Sequence, residues 1–171
     1  MKRVTLTMVI GLLFFSCNSP AQESRGTKRN SIDKHIMEKT DKYPVQKSET
    51  EWRAQLGDKK YHILREKGTE YPRTGEYNLH FEKGTYVCGA CHTPLFESGQ
   101  KFESDCGWPS FDDAIDGTIE FVKDTSHGMV RTETLCANCG SHLGHIFNDG
   151  PTETGQRYCI NSLSLEFKEE Q

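Results

Sequence analysis

The spacing of apolar residues changes along this chain, and each change marks a segment. Behind Met1-Lys2-Arg3, Val4 to Phe15 is a largely apolar run that ends at Ser16-Cys17. Residues 18 to 47 are rich in Ser, Asn, Lys, Glu and Gln and show little apolar periodicity. That composition buries too little surface to offset its ordering entropy and reads as a flexible tether, with a weak helix over Ile32 to Lys39. Ser48-Glu-Thr-Glu51 is a capping-box pattern, and Trp52 and Leu56 follow it at helical spacing. The pattern predicts a short helix over Glu49 to Leu56 and a second near Lys59 to Arg65. Thereafter the period falls to two. Thr118–Lys123, Gly128–Leu135 and Ser162–Lys168 alternate as strands, broken by Gly, Pro, Asn and Asp, and Leu163, Leu165 and Phe167 are expected on one face. The elements describe a mainly β, antiparallel domain with short N-terminal helices.

The apolar run at the start is too short to cross a bilayer, which takes about 20 residues, and it suits a secretory signal. Phe14-Phe15-Ser16-Cys17 resembles a bacterial lipobox, with Phe14 where Leu is usual. An ordinary signal peptide cleaved nearby is the plainer alternative. The expected organisation is a leader over 1–16, a lipid anchor at Cys17 with its tether to 47, and a domain over 48–168. The mature domain is then expected outside the cytoplasm, in the periplasm or cell envelope. Asn18 after the acylated cysteine points, by the same resemblance, to the outer membrane.

Composition adds two constraints. The formal charge is −4 with no Lys/Arg cluster, which argues against a nucleic-acid partner. Hydrophobic residues make up 34% of the chain, so the core is modest and a metal or disulfide staple is favoured. The expected state is a monomer.

The 7 cysteines carry the chemistry. Cys88-x-x-Cys91 and Cys136-x-x-Cys139 are two thiolate turns, and their surroundings form a faint internal repeat: Cys-Gly-Ala-Cys-His-Thr-Pro-Leu-Phe against Cys-Ala-Asn-Cys-Gly-Ser-His-Leu-Gly-His-Ile-Phe. Two such turns complete a tetrahedral Zn²⁺ shell with no open position, so this zinc is structural. The sharpest rival is haem, because Cys88-x-x-Cys91-His92 matches the c-type attachment motif in a chain expected to be exported. The second turn has no histidine after it, which favours zinc. His92 is expected beside the metal, and His127 at the border of a site.

Cys106, in Cys-Gly-Trp-Pro-Ser-Phe, and Cys159, in Arg-Tyr-Cys-Ile-Asn, stand alone. They suit either a buried core cysteine and a disulfide partner, or a nucleophile with a mobile resolving thiol. Arg157 would favour thiolate at Cys159, and Asn161 would share its strand face. His142 and His145 supply imidazoles for acid–base work.

Together these motifs resemble the B-type methionine sulfoxide reductases. The resemblance runs from about Ser48 to Phe167 and rests on Gly68-Thr-Glu70, Cys88-x-x-Cys91 with Pro94-Leu-Phe96, Cys106-Gly-Trp-Pro-Ser-Phe111, Ser126-His-Gly-Met129, Cys136-x-x-Cys139, His142-Leu-Gly-His145-x-Phe147-x-Asp149-Gly-Pro151 and Arg157-Tyr-Cys-x-Asn161. Asp105 departs from the glycine that often precedes the loop cysteine.

The resemblance implies two antiparallel sheets with N-terminal helices and one structural zinc on Cys88, Cys91, Cys136 and Cys139. It implies Cys159 as nucleophile on the sulfoxide sulfur and Cys106 as resolving thiol. His145, with His142, would handle the proton, Trp108 would cradle the substrate methyl group, and Asn161 would orient the sulfoxide. Phe147 and Arg157 would border the substrate. The implied activity is thiol-dependent reduction of methionine-(R)-sulfoxide, in proteins and free, recycled by a thioredoxin-like donor. A zinc-binding β domain without turnover and a c-type haem protein are the competing readings.

Overall fold

The helix α1 spans Glu49–Leu64, and the sequence dictates both its start and its break. Ser48 caps it: its hydroxyl accepts from the Glu51 amide, while the Glu51 carboxylate returns to the Ser48 amide at 2.8 Å. At Gly57 the backbone leaves helical space (φ 68°, ψ 167°), so the element is two short helices end to end, as the pattern predicts. Trp52, Tyr61, Ile63 and Leu64 are buried. These features come from a computed structural model, which describes residues 42–170. The leader, Cys17, the tether up to residue 41 and the helix expected over Ile32–Lys39 lie outside the described residues.

Nine strands follow: β1 (Gly84–Cys88), β2 (Pro94–Glu97), β3 (Lys101–Phe102), β4 (Ser110–Phe111), β5 (Ile119–Asp124), β6 (Arg131–Cys136), β7 (His142–Phe147), β8 (Arg157–Ile160) and β9 (Leu165–Glu169). They form two antiparallel sheets, ordered β2-β1-β9 and β3-β4-β8-β7-β6-β5. One core joins them. Phe96 of β2 stacks on Phe111 of β4 with centroids 4.3 Å apart, and Tyr86, Leu95, Leu143, Tyr158, Ile160 and Leu165 pack around that contact.

Two strands are shorter than the alternating pattern predicts. Ser126–Gly128 and Ser162–Ser164 are single 3-10 turns, so β6 starts at Arg131 and β9 at Leu165. Leu163 therefore leaves the face that Leu165 and Phe167 share. The cause is a set of hydrogen bonds to that turn: Ser164 Oγ donates to the His142 carbonyl, and Tyr77 N–H donates to Ser162 Oγ. Residues 42–47, assigned by composition to the tether, make defined contacts with the domain. Val45 N–H donates to the Asn138 carbonyl at 2.9 Å, and Lys42 pairs with Glu120. Val45 packs against the core, an apolar anchor that the surrounding polar composition masks.

The six-stranded sheet positions the chemistry through its register. Cys159 lies opposite Ser110 on one side and His145 on the other, and His145 lies opposite Glu133. Directly paired residues project from the same face, as do residues two apart. Ser110, Cys159, Arg157, His145, Phe147, Glu133, Arg131 and Asp124 therefore share one face, while Phe111, Tyr158 and Ile160 line the core on the other.

Candidate active site and metal centre

Cys159 projects from β8, and Cys106 reaches it from the loop between β3 and β4. Their sulfurs are 3.7 Å apart, and both are free thiols and half-buried. The loop is expected to move Cys106 toward its partner, yet it is already latched there. Arg73 N–H donates to the Gly107 carbonyl at 2.7 Å, and Trp108 Nε1 donates to the Glu70 carbonyl at 3.2 Å. Ser104 Oγ donates to Cys106 Sγ at 2.9 Å, and Ser110 Oγ lies 3.4 Å from it.

The two thiols titrate as a pair. The hydrogen bond from Cys159 lowers Cys106 to about 4, against the opposing effect of burial and with help from Ser104 and Ser110. Sharing with Cys106, and then burial, push Cys159 up, and the Arg157 guanidinium opposes them. One proton thus leaves the pair early and the other is held late. Arg157 is itself fixed by two 2.8 Å hydrogen bonds to Asp149, and its guanidinium sits 4.6 Å from the centroid of the Phe147 ring.

The histidines are the less expected part. Three residues apart in a regular strand, His142 and His145 would point to opposite faces. The β6–β7 register shifts between Thr134 and Leu135, so β7 carries one extra residue there. This bulge turns His142 to the side of His145, and their ring centroids lie 5.7 Å apart. Gly144, paired with Thr134, flanks the bulge. A Cβ there would lie 2.0 Å from the Cys159 carbonyl oxygen, so only glycine lets β8 approach this closely.

Each histidine has a carboxylate that the motifs did not reveal. His142 Nδ1 is 2.7 Å from Glu133 Oε1, both are buried, and Lys67 donates to the other Glu133 oxygen at 2.7 Å. Burial pushes the Glu133 carboxyl up, but the hydrogen bonds from His142 and Lys67 outweigh it and hold the group below its usual range. His145 Nε2 is 2.8 Å from Asp124 Oδ2, which also accepts from Arg131 at 2.7 Å. Ser126, His145 and Arg131 hold Asp124 well below the usual carboxylate range. Burial lowers His145 while Asp124 raises it, and burial prevails. One signal for Glu133 was available: period-two alternation sets it on the face of the apolar Leu135. Nothing in the sequence pairs Asp124 with His145.

Asn161 is not on the strand face of Cys159. β8 ends at Ile160, and the Asn161 side chain is buried between two backbone groups. Its Nδ2 donates to the Leu143 carbonyl at 3.2 Å, and its Oδ1 accepts from Glu70 N–H at 3.2 Å. One amide hydrogen remains for another partner. His127 stands exposed in a turn with φ 54°.

Cys88, Cys91, Cys136 and Cys139 gather at the opposite end of β6 from Arg131, with all four sulfurs within 4.8 Å of one another. The Cys88–Cys139 and Cys91–Cys136 separations are 3.8 and 3.6 Å. A tetrahedral ion with ligands at about 2.3 Å requires sulfurs about 3.8 Å apart, so these four fit a zinc-sized metal. The internal repeat has a geometric counterpart. His92 N–H donates to the Cys88 carbonyl and Gly140 N–H to the Cys136 carbonyl, both at 2.8 Å, and both residues have left-handed φ (59° and 69°). His92 is not one of the clustered ligands, and its Nδ1 lies 3.0 Å from Glu166. Cys88 is fully buried against Cys139, which leaves the first turn committed to the four-sulfur cluster rather than to haem.

Two free cysteines in contact, beside two histidine–carboxylate pairs on one face of a β domain that also carries a four-cysteine cluster, make up the candidate site. Comparison with known proteins gives the family. The SelR domain family matches residues 56–169. The chain is 53% identical over 131 residues to the peptide methionine sulfoxide reductase MsrB of Variovorax paradoxus, covering 73% of this chain and 96% of that one. Its identity is 55% over 129 residues to the enzyme of the same name from Leptospira interrogans (75% and 98%) and 54% over 128 residues to that from Methanosarcina barkeri (74% and 90%). The chain belongs to the SelR domain family.

Proposed function

We propose that this protein is a thiol-dependent peptide-methionine (R)-S-oxide reductase, acting on protein-bound and free methionine-(R)-sulfoxide. The observation that carries the reading is the 3.7 Å contact between Cys106 and Cys159, on the sheet face that also holds His145. A sulfoxide oxygen leaves poorly until it is protonated, so a thiolate and an acid must converge on it. Cys159 passes the proton it shares with Cys106 to that sulfur, 3.7 Å away, and attacks the sulfoxide sulfur as the thiolate, while the His145–Asp124 pair delivers a proton to the oxygen. Methionine departs with its sulfur reduced, and the oxygen stays on Cys159 as a sulfenic acid. Cys106 then attacks that sulfur, the hydroxyl leaves as water, and a Cys106–Cys159 disulfide remains. A thioredoxin-like dithiol reduces it back, giving up two electrons and two protons. Trp108 and Phe147 line the side that receives the methylthio group.

Cys88, Cys91, Cys136 and Cys139 would hold one Zn²⁺. It supplies a structural tie between the two turns, and its closed shell takes no part in the reaction. The apolar leader and Cys17 support a lipid-anchored location in the cell envelope, served by a reductant delivered there, with oxidised envelope proteins as substrates. Turnover of separate R and S methyl sulfoxides with dithiothreitol, alongside a zinc count, tests the enzyme. Equal turnover of both epimers, or none, overturns the reading. Recovery of mature, unlipidated protein in the cytoplasmic fraction overturns the location.

A further inference from the structure

Glu70 lies on no strand, yet it makes four hydrogen bonds to parts of the site that come from distant stretches of chain. Its carboxylate accepts from Ser162 N–H and, at 3.2 Å, from Leu163 N–H. Its own N–H donates to Asn161 Oδ1 at 3.2 Å, and its carbonyl accepts from Trp108 Nε1 at 3.2 Å. The carboxylate thus anchors the residue to the turn after β8, and the peptide groups on either side of its Cα hold one side chain each. Gly75 closes over the same carboxylate: a Cβ there would lie 2.7 Å from Glu70 Oε1. Further along the same segment, Arg73 holds the Gly107 carbonyl, so the loop bearing Cys106 is fastened at two points.

We propose that Glu70 is a positioning residue that sets the distance between Trp108 and Asn161, and with it the orientation of the bound sulfoxide. The inference rests on the proposed function for what Trp108 and Asn161 do, and adds the group that holds them. The physical case lies in the connectivity. An indole on a loop and an amide at a strand end have no bond to each other, and each has a free torsion about its own Cα. Both are tied to adjacent peptide groups of one residue, whose side chain is clamped by two backbone donors. Pre-organisation of this kind acts on substrate orientation, where small misplacements cost large factors in rate.

Glu70→Ala removes the clamp and leaves the peptide groups free to drift. The expected result is a rise in KM for the R-sulfoxide, or a fall in kcat/KM, of about tenfold or more. Trp108 emission should shift to the red and become more open to acrylamide quenching. Trp108→Phe supplies the baseline of Trp52, the other tryptophan. Glu70→Gln keeps one acceptor for the two N–H groups and should restore part of both signals; it also carries the comparison if Glu70→Ala does not fold. Wild-type emission together with wild-type KM in a folded variant overturns the proposal, and so does lost turnover with Trp108 emission unmoved. Because emission is read without substrate, a wild-type protein that fails to reduce sulfoxide would count against the proposed function and leave the positioning test standing.

Discussion

Cys106 Sγ lies 3.7 Å from Cys159 Sγ while both are thiols. A disulfide needs about 2.05 Å, so the sulfurs close by less than a bond length of sulfur to sulfur once Cys159 carries oxygen. Disulfide formation should therefore follow reduction of the substrate without a slow loop rearrangement. Cys159→Ser should abolish all turnover. Cys106→Ser should give one equivalent of methionine and retain dithiothreitol-driven activity, while recycling by a thioredoxin-like donor slows. Mass spectrometry of the oxidised enzyme reads the two cases apart, and an active Cys159→Ser enzyme would show that another group is the nucleophile.

Asp124 holds His145 Nε2 at 2.8 Å and favours the imidazolium, against the effect of burial. Arg131 and His142, which also face His145, disfavour it. Asp124→Asn removes the one group that raises His145, so its pKa falls further. A reaction that draws its proton from the imidazolium then loses its acid at lower pH, and the alkaline limb of the kcat profile moves toward acid. The pH–rate profile of the variant measures this, and an unmoved limb would remove His145 from the proton path.

The Glu133 carboxylate is 4% exposed and accepts from both His142 and Lys67. Removing one partner of a buried, hydrogen-bonded pair costs about 3 kcal/mol, because the other is left desolvated and alone. Glu133→Ala should lose about that much in urea unfolding. As a carboxyl lowered in the folded state, Glu133 contributes stability above its unfolded pKa and loses it as pH falls through the folded value. The stability gap between wild type and variant should thus narrow in acid, and a gap independent of pH would contradict the pairing.

Gly144→Ala would set a methyl group 2.0 Å from the Cys159 carbonyl oxygen. Neither strand can yield without shifting the β7–β8 pairing. The expected cost is about 1–3 kcal/mol, typical of overpacking, with a loss of activity larger than the loss of folded protein. Thermal melts compared with activity per folded molecule separate the two effects.

The four clustered sulfurs predict a metal-dependent fold. Stripping the metal with a strong chelator should cost on the order of 5 kcal/mol or more and free four additional titratable thiols. Since the cluster lies in the same core as Trp52 and Leu143, melting should remain a single transition. Unchanged stability after complete metal removal would mean that the sulfurs alone suffice.

Much of this protein is legible in the linear chain because its signals are local. A capping box needs four consecutive residues, a CxxC turn needs four, and period-two alternation needs six, so the helix start, the two knuckles and the β class could all be read in place. The break at Gly57 belongs with them. The strand ends at Leu165 and Ile160 do not, because they are set by bonds from Ser164 and Asn161 to residues of β7.

The linear chain was enough to tell the cysteines of the two CxxC turns from those that stand alone, since spacing within a turn is a property of neighbouring residues. It could not determine how the site is oriented. A one-residue bulge in β7 decided that His142 and His145 share a face, and strand register decided that Cys159 lies beside His145. The carboxylates of Asp124 and Glu133 and the Glu70 link between Trp108 and Asn161 likewise arise only on folding. Each depends on groups brought together across the sheet, where direction and distance are set by register and burial rather than by spacing along the chain.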